Sequence, residues 1–432
     1  MFVQWQYHQN SNNINIEIGE LTMIKLYDQK NDFFEMFDNK TGFYMRSGII
    51  DENGKDTNID PFMRFFPGLI DVGIMGHCVH GSSGLCAKSG IQCYQNGLSQ
   101  KEPNMTLDNF KKIVMECKDK VYQFALGGRG DVDQHENFED ILKLCCENNI
   151  VPNFTSSGLG FTNDIAKLCK KYCGAVAISS YSILKSKRIK FNVNATIHNN
   201  IKNIHDNEYV GIDSSIPNGY IESSDGLTIY YEDKEYTNNA IQLLLNNNVK
   251  TNIHFVLGNN TIDEAILRLK YNLFPKGINA VIFLLHKPVG LGQKENMLSV
   301  DDDRLKEFFK LVDTNEFNFK IGFDSCSVPG IINMTTGINH DSIDTCEGGR
   351  WSCYITSDMK MLPCSFDNQE LKWAYDISND TIENAWNSKQ FEDFRNHFRN
   401  SCSKCSNKNI CMGGCPIRRQ IVLCNKKEKD LQ

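Results

Sequence analysis

The residues best placed to do chemistry in this chain are its cysteines, 17 among 432 residues. Cys78, Cys86 and Cys93 share one short stretch. Cys117, Cys145, Cys146, Cys169, Cys173 and Cys326 are scattered, and Cys346, Cys353, Cys364, Cys402, Cys405, Cys411, Cys415 and Cys424 crowd the carboxyl-terminal part. Thiols gathered like this either close as disulfides or bind metal. Disulfide scaffolds are short, secreted chains, whereas this chain is long and residues 1–15 are polar, unlike a secretory signal. No apolar run approaches the roughly 18 residues that cross a bilayer. Hydrophobic residues make up 41% and charged residues 23%, ordinary for a soluble chain with a large core. The formal charge of −7 argues against nucleic acid as the main partner, since phosphate binding needs a clustered basic surface. A soluble cytoplasmic protein with metal-binding thiolates is expected, and Met23 precedes its first ordered segment.

In the first group the gaps between cysteines are seven and six residues. Gly76, Gly81, Gly84 and Gly90 lie around and between them, which lets the backbone wrap closely around a bound object. Three thiolates without an obvious fourth suit a [4Fe–4S] cluster with one iron left open, since a closed site takes four cysteines. A zinc loop completed by His77 or His80 is the alternative, and spacing alone does not separate the two.

Something must position this loop. Short apolar runs at 69–75, 123–126, 151–154, 175–179, 251–257, 280–285 and 319–323 read as strands. Helical patterns follow at 107–117, 138–147, 164–173, 238–245, 262–269 and 304–312. Strands alternating with helices indicate βαβ units around a parallel sheet, and six or seven repeats predict a closed or partial β/α barrel whose chemistry sits at the carboxyl ends of the strands. Residues 181–237 are too long for a crossover and read as an insertion at the barrel mouth or side. Residues 1–68 form an amino-terminal extension of short strands and turns, 69–325 the barrel, and 326–432 a small cysteine-rich module.

A three-cysteine loop directly after the first strand of such a barrel resembles the radical S-adenosylmethionine (SAM) superfamily. There the open iron binds SAM, and one electron from the cluster releases a 5′-deoxyadenosyl radical that abstracts hydrogen from a substrate. The usual spacing is shorter, with an aromatic just before the third cysteine; here Tyr94 follows it. The family's Gly-Gly-Glu segment after the second strand is matched by Gly127-Gly128-Arg129, with Arg in place of Glu and with Asp131 and His135 beyond. Ser156 ends the third strand and Ser179 the fourth. The resemblance implies that Gly127, Gly128, Arg129, Ser156, Ser179 and Tyr94 surround SAM and that Cys78, Cys86 and Cys93 hold the cluster.

The late cysteines, with the segment Cys402-Ser403-Lys404-Cys405, then Cys411-Met412-Gly413-Gly414-Cys415 and Cys424, have a gap of two that is also at home in zinc ribbons. Their combined order resembles the SPASM domain of peptide-modifying radical SAM enzymes, which binds two auxiliary [4Fe–4S] clusters. The segment 382–388, with Phe391 and Arg395 beyond it, resembles the helix between that domain's two cysteine groups. The resemblance implies one cluster on Cys346, Cys353, Cys364 and Cys415 and another on Cys402, Cys405, Cys411 and Cys424. Met359 stands where the family has Gly. Cys117, Cys145, Cys146, Cys169 and Cys173 read as buried thiols, and Cys326 as a spare ligand or redox-active thiol at the barrel mouth.

The function implied is maturation of a ribosomally made precursor peptide by crosslinking, epimerisation or excision. Its reductant would be a flavodoxin or ferredoxin. A leader-binding function is expected either on a separate protein or in the 181–237 insertion, where a peptide adds as a strand. Sulfatase-type maturation is the alternative, although Ser365 rather than Asp follows Cys364 and the nearest carboxylate is Asp367. A small-molecule radical enzyme and a non-catalytic zinc protein are the remaining alternatives. No catalytic acid or base stands out.

Overall fold

A computed structural model describes residues 23–82, 92–98, 101–180, 235–339, 343–399, 402 and 404–425, and the backbone of five strands between 183 and 232. Cys86 lies outside the described residues, as do residues 1–22 of the amino-terminal extension.

Strands β1 (Met23–Asp28), β2 (Phe33–Asp38) and β3 (Tyr44–Arg46) form an antiparallel sheet. The barrel begins with β4 (Leu69–Met75), β5 (Gln123–Gly128), β6 (Val151–Ser156) and β7 (Val176–Ser179). Five strands then interrupt it: β8 (Ile183–Arg188), β9 (Lys202–His205), β10 (Glu208–Gly211), β11 (Tyr220–Ser223) and β12 (Leu227–Glu232). They make a separate antiparallel sheet ordered β8-β12-β11-β10-β9. The barrel resumes with β13 (Thr251–Leu257), β14 (Ala280–Leu285) and β15 (Lys320–Phe323). Last come β16 (Ser352–Ile355), β17 (Lys360–Leu362) and β18 (Tyr375–Asp376).

The large sheet runs β15-β14-β13-β7-β6-β5-β4-β16-β17-β18. Seven strands from the barrel segment are parallel, and β16 joins them as an eighth by pairing parallel to β4. The fold is therefore an α/β partial barrel with a small cysteine-rich domain whose first strand extends the barrel's own sheet. Sequence periodicity located the barrel strands to within a residue or two. It did not foresee β16, a four-residue strand with no alternation of its own.

Helices cover the outer face because their sequences carry an apolar stripe. In helix Leu107–Cys117 the buried residues are Phe110, Ile113, Val114 and Cys117, one stripe at helical spacing. Thr106 caps it, its side chain accepting from Asn109 N, which contributes about 1 kcal/mol. Burying each large apolar side chain on this face stabilises by roughly 1.5–3 kcal/mol.

The inner face differs. Strand pairing places Asp71, Gly73, Ala125, Gly127, Asn153, Thr155, Ala177, Ser179 and His254 on one side. These are small or polar side chains, where a filled barrel would carry bulky branched ones; β14 adds Ile282, in register with His254, on the same face. The interior is thus shaped to receive something rather than to pack against itself.

The carboxyl-terminal domain is fastened from both sides. Trp386 Nε1 donates to Arg64 O at 3.0 Å, and Lys112 Nζ donates to Ile377 O at 2.6 Å. Ile382 N, at the start of helix Ile382–Trp386, donates to Glu116 Oε2 at 2.7 Å.

Candidate active site

The carboxyl end of β4 is wrapped by the loop that follows β5. Arg129 N donates to Met75 O at 2.8 Å. Gly128 has a φ of 115°, and a Cβ there would stand 2.3 Å from Met75 O, so only glycine fits. Gly127 is the opposite case: a Cβ there would meet nothing within 4 Å. The Arg129 Nε is buried and finds no hydrogen-bond partner among the described residues.

Just beyond lie the thiols. A Cβ on Gly97 would stand 3.7 Å from the Cys93 sulfur and 3.8 Å from the Cys78 sulfur, so both sulfurs border the same small space. Burial pushes the Cys78 thiol up, while Gly81 N, donating to its sulfur at 3.2 Å, opposes this. Asp131 organises the surroundings. It accepts from Ser157 N at 2.9 Å and from the Ser157 hydroxyl, and it pairs with His80 Nε2 at 3.2 Å. His77 Nδ1 lies 3.3 Å from Glu102 O. Each of these histidines thus has one ring nitrogen engaged.

Tyr94 leans over the mouth, its ring 5.1 Å from that of Phe366. The surrounding protein pushes its phenol up to about 12, with Asp71 adding to the shift and Gln95 and Lys287 opposing it. Tyr354, from β16, points inward against Gly73. Lys287 is buried, pairs with Asp324, donates to Leu285 O at 2.8 Å and lies 4.6 Å from the centre of the Phe366 ring. On the facing wall, the Thr155 hydroxyl is 3.1 Å from His254 Nδ1, and burial lowers His254 to about 4, leaving it neutral at pH 7. Sequence reading missed His254, Asp71 and Tyr354. Each lies mid-strand, and only strand direction turns it inward.

Ser179 lies on the same inner face as His254. Ser156 does not. It is fully buried, and its Oγ accepts from Gly158 N at 3.0 Å. The strand alternation that turns Thr155 inward turns Ser156 to the helix side, away from the interior face where Ser179 and His254 lie.

The later cysteines form two groups. Cys402, Cys405, Cys411 and Cys424 line one cavity of about 400 Å³, and burial together with the other three thiols pushes Cys411 up to about 11. Cys346 and Cys364 are neighbours and Cys415 lies against Cys326, with Gly348 N donating to the Cys346 sulfur, Phe366 N to Cys364 and Arg418 N to Cys415. Cys353 is not among them. It is fully surrounded on β16, next in the strand to the inward-facing Tyr354, with Asp71, Arg395 and Cys117 as its charged and thiol neighbours. Cys117, Cys145 and Cys169 are buried in the core, and the Cys146 thiol donates to Tyr172 O at 3.2 Å.

These donor sets fit iron–sulfur clusters. Four thiols share one cavity, and backbone amides aim at sulfurs as they do where clusters are held and tuned. Among the described residues, no three metal-binding side chains are close enough to hold a single ion. A zinc ion would draw its sulfurs to about 3.8 Å from one another, given Zn–S bonds of about 2.3 Å.

Fold and cysteines together define an iron–sulfur protein built on an open β/α barrel. More particularly, residues 346–407 match the model of the SPASM domain, an iron–sulfur cluster-binding domain, and the fold is that of radical SAM proteins carrying one. Streptococcus suis SuiB bound to precursor peptide SuiA is 12% identical, covers 91% of this chain and 94% of its own, and gives a TM-score of 0.60. SuiB bound to S-adenosylmethionine is 14% identical, with 82% and 74% covered and a TM-score of 0.52. Native anSMEcpe with bound AdoMet is 16% identical, with 84% and 93% covered and a TM-score of 0.50. No curated protein matches the sequence. Among the described residues, no helix is long and apolar enough to cross a membrane.

Proposed function

We propose that this chain is a radical SAM enzyme that modifies a ribosomally made peptide. The observation that carries the reading is the convergence of the Cys78 and Cys93 sulfurs beside Gly97, next to the glycine loop of β5, at the mouth of a polar barrel. Cys78, Cys86 and Cys93 would hold a [4Fe–4S] cluster, which with bound SAM supplies one-electron cleavage of the sulfonium and a hydrogen-abstracting carbon radical. Around it, Gly127 offers bare backbone, and the buried Arg129 Nε suits the carboxylate of SAM, the geometry that a guanidinium reads best. Tyr94 and Ser179 complete the proposed SAM contacts. Asp131 keeps the cysteine loop in register with β6.

Support for a peptide substrate comes from the solved structures of similar fold, one holding precursor peptide SuiA and another, anSMEcpe, holding AdoMet and a Cp18Cys peptide. Among the described residues, β8 and β9 are the edges of the five-stranded insertion, and a sheet edge accepts an extended peptide as a further strand. Sulfatase-type maturation is disfavoured. Asp367 is fully buried and accepts from Lys372 N at 3.2 Å and Trp373 N at 3.0 Å, so it serves a turn.

The test is anaerobic. Iron-reconstituted protein with SAM and dithionite is assayed for 5′-deoxyadenosine beside the Cys78→Ala, Cys86→Ala, Cys93→Ala triple variant, then with precursor peptides encoded near its gene. Product from the wild type alone and a changed peptide mass or stereochemistry are expected. A fully iron-loaded protein that forms no 5′-deoxyadenosine, with or without peptides, would overturn the reading.

A further inference from the structure

We infer that Cys326, not Cys353, is the fourth thiolate of the first auxiliary cluster, alongside Cys346, Cys364 and Cys415. Cys326 follows β15 in a single turn of 3-10 helix, Ser325–Ser327, at the carboxyl end of the barrel. Its thiol contacts that of Cys415 and stands beside Lys287, with Cys346 and Cys364 as its other sulfur neighbours. Cys326 is thus within electrostatic reach of three other thiols that come from three separate segments. The Lys287 ammonium also faces Cys415, a cation set where thiolates would carry negative charge.

Cys353 is excluded by strand geometry. Pairing of β16 with β4 sets Cys353 opposite Ile70 and Tyr354 opposite Asp71. Tyr354 faces the barrel interior, so its neighbour Cys353 must face the helices, where it lies beside Cys117. Bringing Cys353 to the cluster would need a one-residue slip of β16, and that would throw Tyr354 out of the interior.

A consequence follows for assembly. Three of the ligands belong to the carboxyl-terminal domain and one to the end of β15, so the cluster would staple the last barrel strand to that domain. This inference rests on the iron–sulfur reading above.

The experiment compares anaerobically reconstituted wild type, Cys326→Ala, Cys346→Ala and Cys353→Ala by iron and sulfide content and Mössbauer spectroscopy. Wild type should hold about twelve irons, given four per cluster; Cys326→Ala and Cys346→Ala should each either lose one cluster or keep it on three thiolates with one iron distinct in its Mössbauer parameters. The Cys326→Ala, Cys346→Ala double variant should lose no more than that one cluster, and Cys353→Ala should match wild type. Should Cys326→Ala not fold, Cys326→Ser replaces sulfur with oxygen at one iron and should change the electron paramagnetic resonance of one reduced cluster, where Cys353→Ser changes none. Cys326→Ala with full iron and Mössbauer and electron paramagnetic resonance spectra identical to wild type, or a lost or altered auxiliary cluster in Cys353→Ala, would overturn the inference alone. Wild type without iron would instead overturn the reading beneath it.

Discussion

Asp131 joins three segments that the proposed SAM site needs, and Asp131→Asn keeps its shape while removing its charge. The carboxylate accepts two bonds from Ser157, at the end of β6, and pairs with His80, two residues past Cys78. Hydrogen bonds to a charged acceptor are worth about 1.5–3 kcal/mol and neutral ones about 0.5–1.5, so each Ser157 bond should lose roughly 1 kcal/mol. The two side chains of the His80 pair are each 13% exposed, and a partly solvated pair adds about 1 kcal/mol at most. The sum, about 2–3 kcal/mol, corresponds to roughly 30- to 150-fold. If that energy orders the cysteine loop, the Kd for SAM should rise by up to this factor while both auxiliary quartets keep their iron. Equilibrium dialysis of labelled SAM against reconstituted protein, with iron counted on the same samples, measures it. Ser157→Ala alone should cost about tenfold or less, and the double variant less than the product of the two, because the pair shares contacts. A fully iron-loaded Asp131→Asn protein that binds SAM like the wild type would refute the reasoning.

Three further outcomes are expected. Gly128→Ala forces a left-handed φ and a Cβ 2.3 Å from Met75 O, so it should lose more than the roughly 1–2 kcal/mol of the backbone term alone, whereas Gly127→Ala should melt within about 0.5 kcal/mol of wild type yet bind SAM more weakly. Equal effects of the two on both readouts would contradict the site. Burial, aided by Asp131, pushes Asp133 up to about 6. An acid raised in the fold gives stability that is present below its ordinary value near 4 and lost as pH rises through about 6, a difference of up to about 3 kcal/mol. Asp133→Asn should therefore flatten the fall in unfolding free energy measured between about pH 4 and about pH 7 and raise stability at the upper end; an unchanged slope would point to another group. Lys287→Met strands Asp324 without its cation in the interior and should cost about 3–5 kcal/mol, part of it recovered in the Lys287→Met, Asp324→Asn double variant, which removes the charge and keeps an acceptor beside Leu285 N and the Ser327 hydroxyl. A double variant no more stable than the single one would show that the pair is not what that site depends on.

Local pattern made much of this protein legible without coordinates. Alternating apolar runs and helical stripes marked the barrel strands, because burial on one face imposes its period on the chain. The order of the late cysteines pointed to the SPASM domain. Glycines at 127 and 128 marked a close backbone approach, although only the structure separates them: Gly128 is forced by Met75 O, and Gly127 is open.

What periodicity could not carry was direction and partnership between distant segments. Ser156 and Thr155 are adjacent and chemically alike, yet strand pairing turns one to the helices and the other to His254. Asp71, Tyr354 and His254 look like ordinary strand residues until the sheet aims them inward. Cys353 lies within the run of late cysteines and Cys326 outside it, so residue order favoured Cys353. Residue types and their spacing determined that this chain builds an α/β barrel with thiol-rich metal sites, because those depend on contacts close along the chain. Which thiols meet was decided by the parallel docking of β16 on β4, a contact between residues nearly three hundred positions apart, whose register no local pattern encodes.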